Sequence, residues 1–204
     1  GVAERWDISE DGTVYVFHFR KNAKWSNGDS VTAHDFLYSY KRILDPSLGS
    51  QYASMLHILK NAKVFGEGKK TWEEAEVGVR ALDNLTLELT LENPVPYFLE
   101  QLNHFTWFPV HPATIKKFNA RTTRGTKWTR PGNYVGNGPF ILTEHHVNSV
   151  IMVERNPEYW DAAQVRLNGI RFYPIESVDT EERAFHSGFL HLTQTVSADR
   201  IDSL

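Results

Sequence analysis

A chain of 204 residues, 41 % of them hydrophobic, is long enough to bury a substantial core as one large domain or two small ones. The net charge is −3 with Lys and Arg scattered, which leaves no electrostatic footprint for nucleic acid. The absence of Cys excludes disulfides, zinc–thiolate sites and Cys nucleophiles.

In chain order, "ERWDISEDGTVYVFHFR" reads as a hairpin turning at Asp11-Gly12, with Val14 and Val16 alternating against Tyr15, Phe17 and Phe19. Bulky groups on both faces of the second strand predict cover on both sides. Ser26-Asn27-Gly28-Asp29 is a turn, because Asn and Gly tolerate positive φ. Thr32 offers an N-cap, and Asp35, three residues on, completes a variant of the capping box. Phe36, Tyr40 and Ile43, widened by Leu37 and Leu44, form the apolar stripe of the helix that follows. "DPSLGS" ends that helix, and a second helix is expected over "QYASMLHILKNA". "GEGKK" is a polar loop, and "TWEEAE" a short helix capped by Thr71.

"VGVRALDNLTLELTL" is a second hairpin, turning at Asp83-Asn84, with Leu85, Leu87, Leu89 and Leu91 on one face. Pro94 and Pro96 precede a helix in "YFLEQL", since neither fits a helix interior. "PATIKKF" is a further helix, and "NARTTRGTKWTRPGN" a surface loop. Strands are expected over 139–144, 149–154 and "GIRFYPI". After these come a helix in "SVDTEERAFHSG", a strand in "LHLTQT" and the start of a helix in "SADRIDSL". Mixed strands and helices make the fold α/β or α+β, with a lobe boundary near Pro109 to Pro112. Neither "GVAERWDIS" nor "SADRIDSL" reads as a natural end, so both are expected to be cut points in a longer protein.

No set of residues assembles a nucleophile, a base and an orienting group. His145-His146 is the densest histidine spot, but neighbours on a strand point to opposite faces, and no H-E-x-x-H pattern exists. His104, His111, His186 and His191 are scattered. The Glu pairs at 73–74 and 181–182 sit on solvated helix faces. There is no G-x-S-x-G, and "GEGKK" lacks the frame of a phosphate loop. Asp29, His34 and Asp35 crowd together, yet both carboxylates are better placed to accept backbone N–H groups than to move protons. The residues therefore describe a binding protein, with no catalytic residues and no metal site.

Several segments, taken in order, carry a resemblance: "GVAERWDISEDGTVYVFHFRKNAKWSNGDSVTAHDFLYSYKRILDP", "SQYAS", "VGVRALDNLTLELTLENPVPYF", "WTRPGNYVGNGPFIL", "VERNPEYWD" and "AFHSGFLHLT". Over nearly its whole length the chain resembles the periplasmic oligopeptide-binding proteins of ABC transporters, the peptide/nickel class (family 5) of extracytoplasmic solute-binding proteins. The resemblance implies a periplasmic-binding-protein-like type II fold whose two lobes close over an extended peptide and dock on permease subunits. Residues 1–109 would be the smaller second domain. Residues 110–204 would be a middle portion of the main lobe, with a third domain outside this chain. A periplasmic or membrane-anchored monomer follows, with no cofactor and no nucleic-acid partner.

By the same resemblance, Tyr52 in "SQYAS" faces the cleft, with packing on its own helix as the alternative. His104 matches a position near the cleft, against a purely structural histidine. Gln194 and Thr195 follow "LHLT" where the family approaches ligand, against a solvated strand end. Phe189 and His191 stand where the family's acidic residues are usual, and "NARTTRG" looks like an insertion. Dipeptide, murein peptide, nickel or haem are the alternative ligands, and a secreted hydrolase of extended ligands is the alternative class.

Overall fold

The computed structural model describes residues 1–195. The first hairpin forms as its alternation requires. Strands β1 (Ala3–Ile8) and β2 (Val14–Phe19) pair antiparallel, with a register shift between Ala3 and Arg5. Gly12 takes φ +69° in the turn, where a side chain would be strained. Asp11 pins the turn by accepting from the Ser9 hydroxyl at 2.5 Å and the Thr13 N–H at 3.1 Å. These bonds hold its carboxyl below the usual carboxylate range, the Ser9 hydroxyl contributing most.

β2 then pairs with β4 (Thr86–Thr90), which also pairs with the short β3 (Val79–Ala81), all antiparallel in the order β1-β2-β4-β3. Tyr15 lies opposite Leu89 and Phe17 opposite Leu87, so their side chains share one face and are buried together. The other face of β2 is only half covered. Val14, Val16 and His18 remain partly exposed there, and polar pairs occupy it: His18 Nε2 with Asp7 at 2.7 Å and Arg80 with Glu88 at 3.2 Å. Cover on both sides was expected from bulk alone; the neighbouring strands instead bring charges to that face.

Helix α1 (Ala33–Leu44) lays Tyr40 and Leu44 into the sheet's core. It begins in a capping box in which Asp35 Oδ2 accepts the Thr32 N–H at 2.9 Å. The same oxygen accepts the indole N–H of Trp25 at 3.1 Å. Trp25, 1 % exposed, forms a small second core with Ala23 and Val31.

The long helix expected over "QYASMLHILKNA" does not form. A 3₁₀ turn spans Ala53–Ile58, and helix α2 covers only Ala62–Gly66. Between them the backbone is claimed by the sheet: Leu59 bridges Leu91, the Lys60 N–H donates to the Thr90 carbonyl, and the Gly78 N–H donates to the Lys60 carbonyl. Helix α3 (Trp72–Ala75) is capped by Thr71, whose hydroxyl accepts the Glu74 N–H at 3.2 Å. Helix α4 (Phe98–Gln101) follows the prolines and buries Phe98 against Tyr15 and Trp107.

Beyond Pro109, helix α5 (Pro112–Lys117) starts at His111, and the 119–133 loop is exposed but tied down by arginines. Arg124 donates to the Leu48 carbonyl at 2.8 Å, and Arg42 to the Ala120 carbonyl at 2.8 and 3.2 Å. Strands β5 (Phe140–His146), β6 (Val150–Arg155) and β7 (Gly169–Phe172) form a separate antiparallel meander without a fully buried side chain.

Helix α6 (Val178–His186) follows, capped by Ser177. "LHLTQT" is not a strand. Its Gln194 N–H donates to Glu181 on α6 rather than to a neighbouring strand, and no ladder partner reaches it among the described residues. The helix expected in "SADRIDSL" lies outside the described residues.

Candidate functional site

Two of the sequence-derived site residues meet. Tyr52 stands just before the 3₁₀ turn Ala53–Ile58, and His104 caps another 3₁₀ turn, Phe105–Trp107. The His104 Nδ1 accepts the Thr106 N–H at 3.3 Å, which fixes the ring against its own turn. Its ring centroid lies 5.4 Å from that of Tyr52, edge to face, and Phe105 lies 5.7 Å from Tyr52 in the same geometry. Each such aromatic pair contributes roughly 0.5–1.5 kcal/mol beyond its buried area. Tyr52 nevertheless stays 43 % exposed, so the cluster packs part of the residue and leaves the rest to solvent.

This cluster borders an open cavity of about 370 Å³ between α1 and the 105–110 segment. Ser39, Ile43 and Tyr52 line it from the first part of the chain, and Phe105, Thr106 and Phe108 from the second. Ser39 holds the two sides in place. Its hydroxyl donates to the Asp35 carbonyl at 2.6 Å and accepts the Val110 N–H at 2.9 Å. Arg42 also reaches the cavity, and burial lowers its pKa below the ordinary guanidinium value, opposed by nearby Tyr38. Beneath lies Tyr40, whose buried hydroxyl donates to the Trp107 carbonyl at 3.2 Å and whose pKa burial pushes up.

The sequence reading missed Phe105 and Phe108, which are 63 % and 54 % exposed while Thr106 and Trp107 between them are buried. The run "HFTWF" held a signal: four aromatic or imidazole rings in five residues, too many for one side of a 3₁₀ turn to bury.

The other two residues lie elsewhere. Gln194 and Thr195 are exposed, and both engage Glu181: the Gln194 N–H at 2.7 Å and the Thr195 hydroxyl at 3.4 Å. Both of these bonds go to Glu181 and neither to Tyr52 or His104.

The crowded Asp29, His34 and Asp35 separate into different roles. Asp29 accepts from the Asn27 amide at 2.7 Å and pairs with His111 Nε2 at 3.0 Å, while Asp35 serves the cap and Trp25. His111, which is buried, also caps α5: its Nδ1 accepts the Thr114 N–H at 3.3 Å, which leaves the Nε2–H to donate to Asp29. The turn is thereby fastened to the segment beyond Pro109. His145 and His146 are exposed, and the His146 Nε2 pairs with Glu144 at 3.2 Å. Among the described residues no group of three or more His, Asp or Glu is placed to hold a metal ion, and no helix is long and apolar enough to cross a membrane.

A family model described as bacterial extracellular solute-binding proteins, family 5 Middle, matches residues 1–204. The chain is 44 % identical over 195 residues to the periplasmic oligopeptide-binding protein OppA of Salmonella typhimurium, covering 95 % of this chain and 34 % of that protein. Two solved structures are similar across 100 % of this chain. Haemophilus influenzae OppA in complex with RPPGFSPFR has a TM-score of 0.91 at 36 % identity, with 39 % of it covered. The unliganded open form of the periplasmic murein tripeptide-binding protein MppA has a TM-score of 0.90 at 35 % identity, with 38 % covered. The chain thus spans about a third of the length of the curated relatives it matches.

Proposed function

The chain belongs to the bacterial extracellular solute-binding proteins, family 5, and on that premise we propose that the full-length protein captures oligopeptides in the periplasm and delivers them to an ABC permease. The family consists of solute-binding proteins, which favours binding without catalysis. Residues 1–109 would serve as the smaller second domain and 110–204 as a middle portion of the main lobe. The Ser39 and His111 hydrogen bonds would brace the segment where the two meet.

The observation that carries this reading is the half-exposed Tyr52, propped by His104 and Phe105 at the mouth of an open cavity, in a chain similar throughout to peptide-binding relatives. A ring packed on part of its surface and otherwise open to solvent suits contact with a ligand main chain, with the phenol hydrogen-bonded. Extended peptides can then be held by backbone hydrogen bonds, which give affinity with little sequence preference. Tyr52 and His104 are assigned to this contact. Gln194 and Thr195 are assigned to a second one, held by Glu181 in the first turn of α6. A murein peptide or dipeptide is the alternative ligand, in line with the similarity to MppA.

Calorimetric titration of oligopeptides into the full-length protein is expected to show saturable binding without peptide hydrolysis. Tyr52→Ala should weaken affinity by about twofold to tenfold, the scale of one lost aromatic contact of 0.5–1.5 kcal/mol, and lower stability by about 1–3 kcal/mol through its two ring pairs with His104 and Phe105. Hydrolysis that a metal chelator abolishes would replace the transport reading with the hydrolase. A Tyr52→Ala variant that loses stability but keeps its affinity would make Tyr52 a packing residue.

A further inference from the structure

Lys and Arg are spread along the chain, but the acids are not. Residues 101–143 hold no Asp or Glu and six of the 22 Lys and Arg: Lys116, Lys117, Arg121, Arg124, Lys127 and Arg130. With −3 overall, the rest of the chain therefore carries −9. Soluble surfaces ordinarily intersperse both signs, so one cationic stretch in an otherwise acidic chain marks a surface with a directed field. All six cationic residues are exposed.

The fold gathers these charges on a shaped loop. Ile115 and Ala120 are fully buried and anchor the chain on either side of Lys116 and Lys117. The Arg42 guanidinium donates to the Ala120 carbonyl at 2.8 Å and lies 5.7 Å from the centre of the Trp128 ring. One guanidinium thus touches both arms of the loop, just past Lys117 and just past Lys127. The Arg130 carbonyl accepts the Asn133 and Tyr134 N–H groups, each at 3.0 Å, which fixes the far arm. Arg121 leans on Asp45 at 3.7 Å, and Arg124 is engaged by the Leu48 carbonyl. Among the described residues no ion pair engages Lys116, Lys117, Lys127 or Arg130.

We infer that the 116–130 loop is an electrostatic docking surface for a lipid bilayer rich in anionic headgroups, with Lys116, Lys117, Lys127 and Arg130 as its contacts. The inference goes beyond the peptide-binding reading and does not depend on it. Four long, exposed and unpaired cations present no rigid geometry for one fixed anion. They suit a surface whose charges can move laterally to meet them, which lipid headgroups do and a folded acidic partner does not. Trp128 is covered by Arg42 and offers no wedge to the acyl chains, so the contact is peripheral, reversible and screened by salt. The −9 carried by the remaining residues is repelled by the same headgroups, so the loop faces the bilayer and the rest of the chain faces away.

The test is co-sedimentation of the full-length protein with vesicles of phosphatidylcholine alone or of phosphatidylcholine and phosphatidylglycerol in roughly equal parts, the first setting the baseline. Binding above that baseline is expected at about 0.1 M salt and is lost at about 1 M, where the screening length falls from about 10 Å to about 3 Å. Each cation near an anionic surface contributes about fivefold, so Lys127→Gln with Arg130→Gln should weaken the anionic component by at least about tenfold. Adding Lys116→Gln and Lys117→Gln should bring it to the baseline. Lys21→Gln with Arg171→Gln changes the net charge equally at exposed sites outside the loop and should leave binding within about twofold. Thermal unfolding of each variant, unchanged because the substituted side chains are exposed and unpaired, separates a surface effect from altered folding.

Vesicle binding that ignores phosphatidylglycerol overturns the inference, as does an anionic component that survives in the four-residue variant. Equal losses in the Lys21 and Arg171 control would show that net charge and not this loop is responsible, and would overturn it too. Poly-glutamate that binds through the same four residues while anionic vesicles do not would make the loop a protein-docking surface in place of a lipid one.

Discussion

Asp35 offers the sharpest test of how α1 is fastened to the segment before it, because one carboxylate oxygen serves two elements at once. It accepts the Thr32 N–H at 2.9 Å to open α1 and the Trp25 indole N–H at 3.1 Å to close the small core of Ala23, Trp25 and Val31. In Asp35→Ala the lost cap costs about 1 kcal/mol. The indole N–H of a residue only 1 % exposed is then stranded, which adds about 1–3 kcal/mol. A total of about 2–4 kcal/mol is expected, well above the effect of an ordinary surface substitution. Asp35→Asn keeps a carbonyl acceptor but loses the charge that the helix N-terminus favours, so it should cost only about 1 kcal/mol.

Native-state hydrogen exchange of the α1 amides in the full-length protein, read beside urea unfolding, localises the loss to this helix. A double-mutant cycle with Trp25→Phe isolates the shared bond, and a coupling of about 1–2 kcal/mol is expected. Additive effects of the two substitutions, or an Asp35→Ala cost below about 0.5 kcal/mol, would refute the reasoning.

Two further outcomes follow from close contacts. A Cβ at Gly78 would overlap the Thr90 carbonyl oxygen, so Gly78→Ala must displace backbone that makes two hydrogen bonds, one with Lys60 and one with Thr90. At about 1 kcal/mol for each, a loss of roughly 2 kcal/mol is expected in urea unfolding, and an unchanged midpoint would show that the strands can slide apart freely. Burial holds the pKa of His57 below its ordinary 6.5, with Glu67 opposing and Lys63 assisting. The unfolded chain therefore takes up this proton first as pH falls. Its contribution to stability is complete above about pH 6.5 and is lost as pH falls below that value through the lower folded pKa. His57→Gln should flatten this part of the stability profile, and an identical profile would count against the burial effect.

Several elements were legible without coordinates because they depend on neighbours in the chain. The leucines at 85, 87, 89 and 91 alternate, and β4 forms over them with one face in the core. Gly12 in its turn, Thr71 with Glu74, and Thr32 with Asp35 are likewise settled within a few residues. Family membership was legible for the same reason: ordered local motifs persist over the whole chain. Elements that needed a distant partner were misread. "QYASMLHILKNA" has helical composition, but Lys60 is drawn to Thr90 and Gly78, and the helix breaks there. "LHLTQT" has strand composition, but Gln194 finds Glu181 of α6 in place of a ladder.

The candidate site divides in the same way. Tyr52 and His104 could be named from the sequence, but only the fold brings residues 52 positions apart to a ring separation of 5.4 Å. Only the fold shows that Phe105 and Phe108 turn outward while Trp107 between them turns in, a choice made by Tyr40 and Phe98 packing on Trp107. By itself the sequence determined the turns, caps, strand faces and family, since short-range backbone preference and periodic burial are written in adjacent residues. Tertiary structure alone decided which rings meet and which backbone joins the sheet. Those depend on long-range packing in which one surface is claimed by several competing partners.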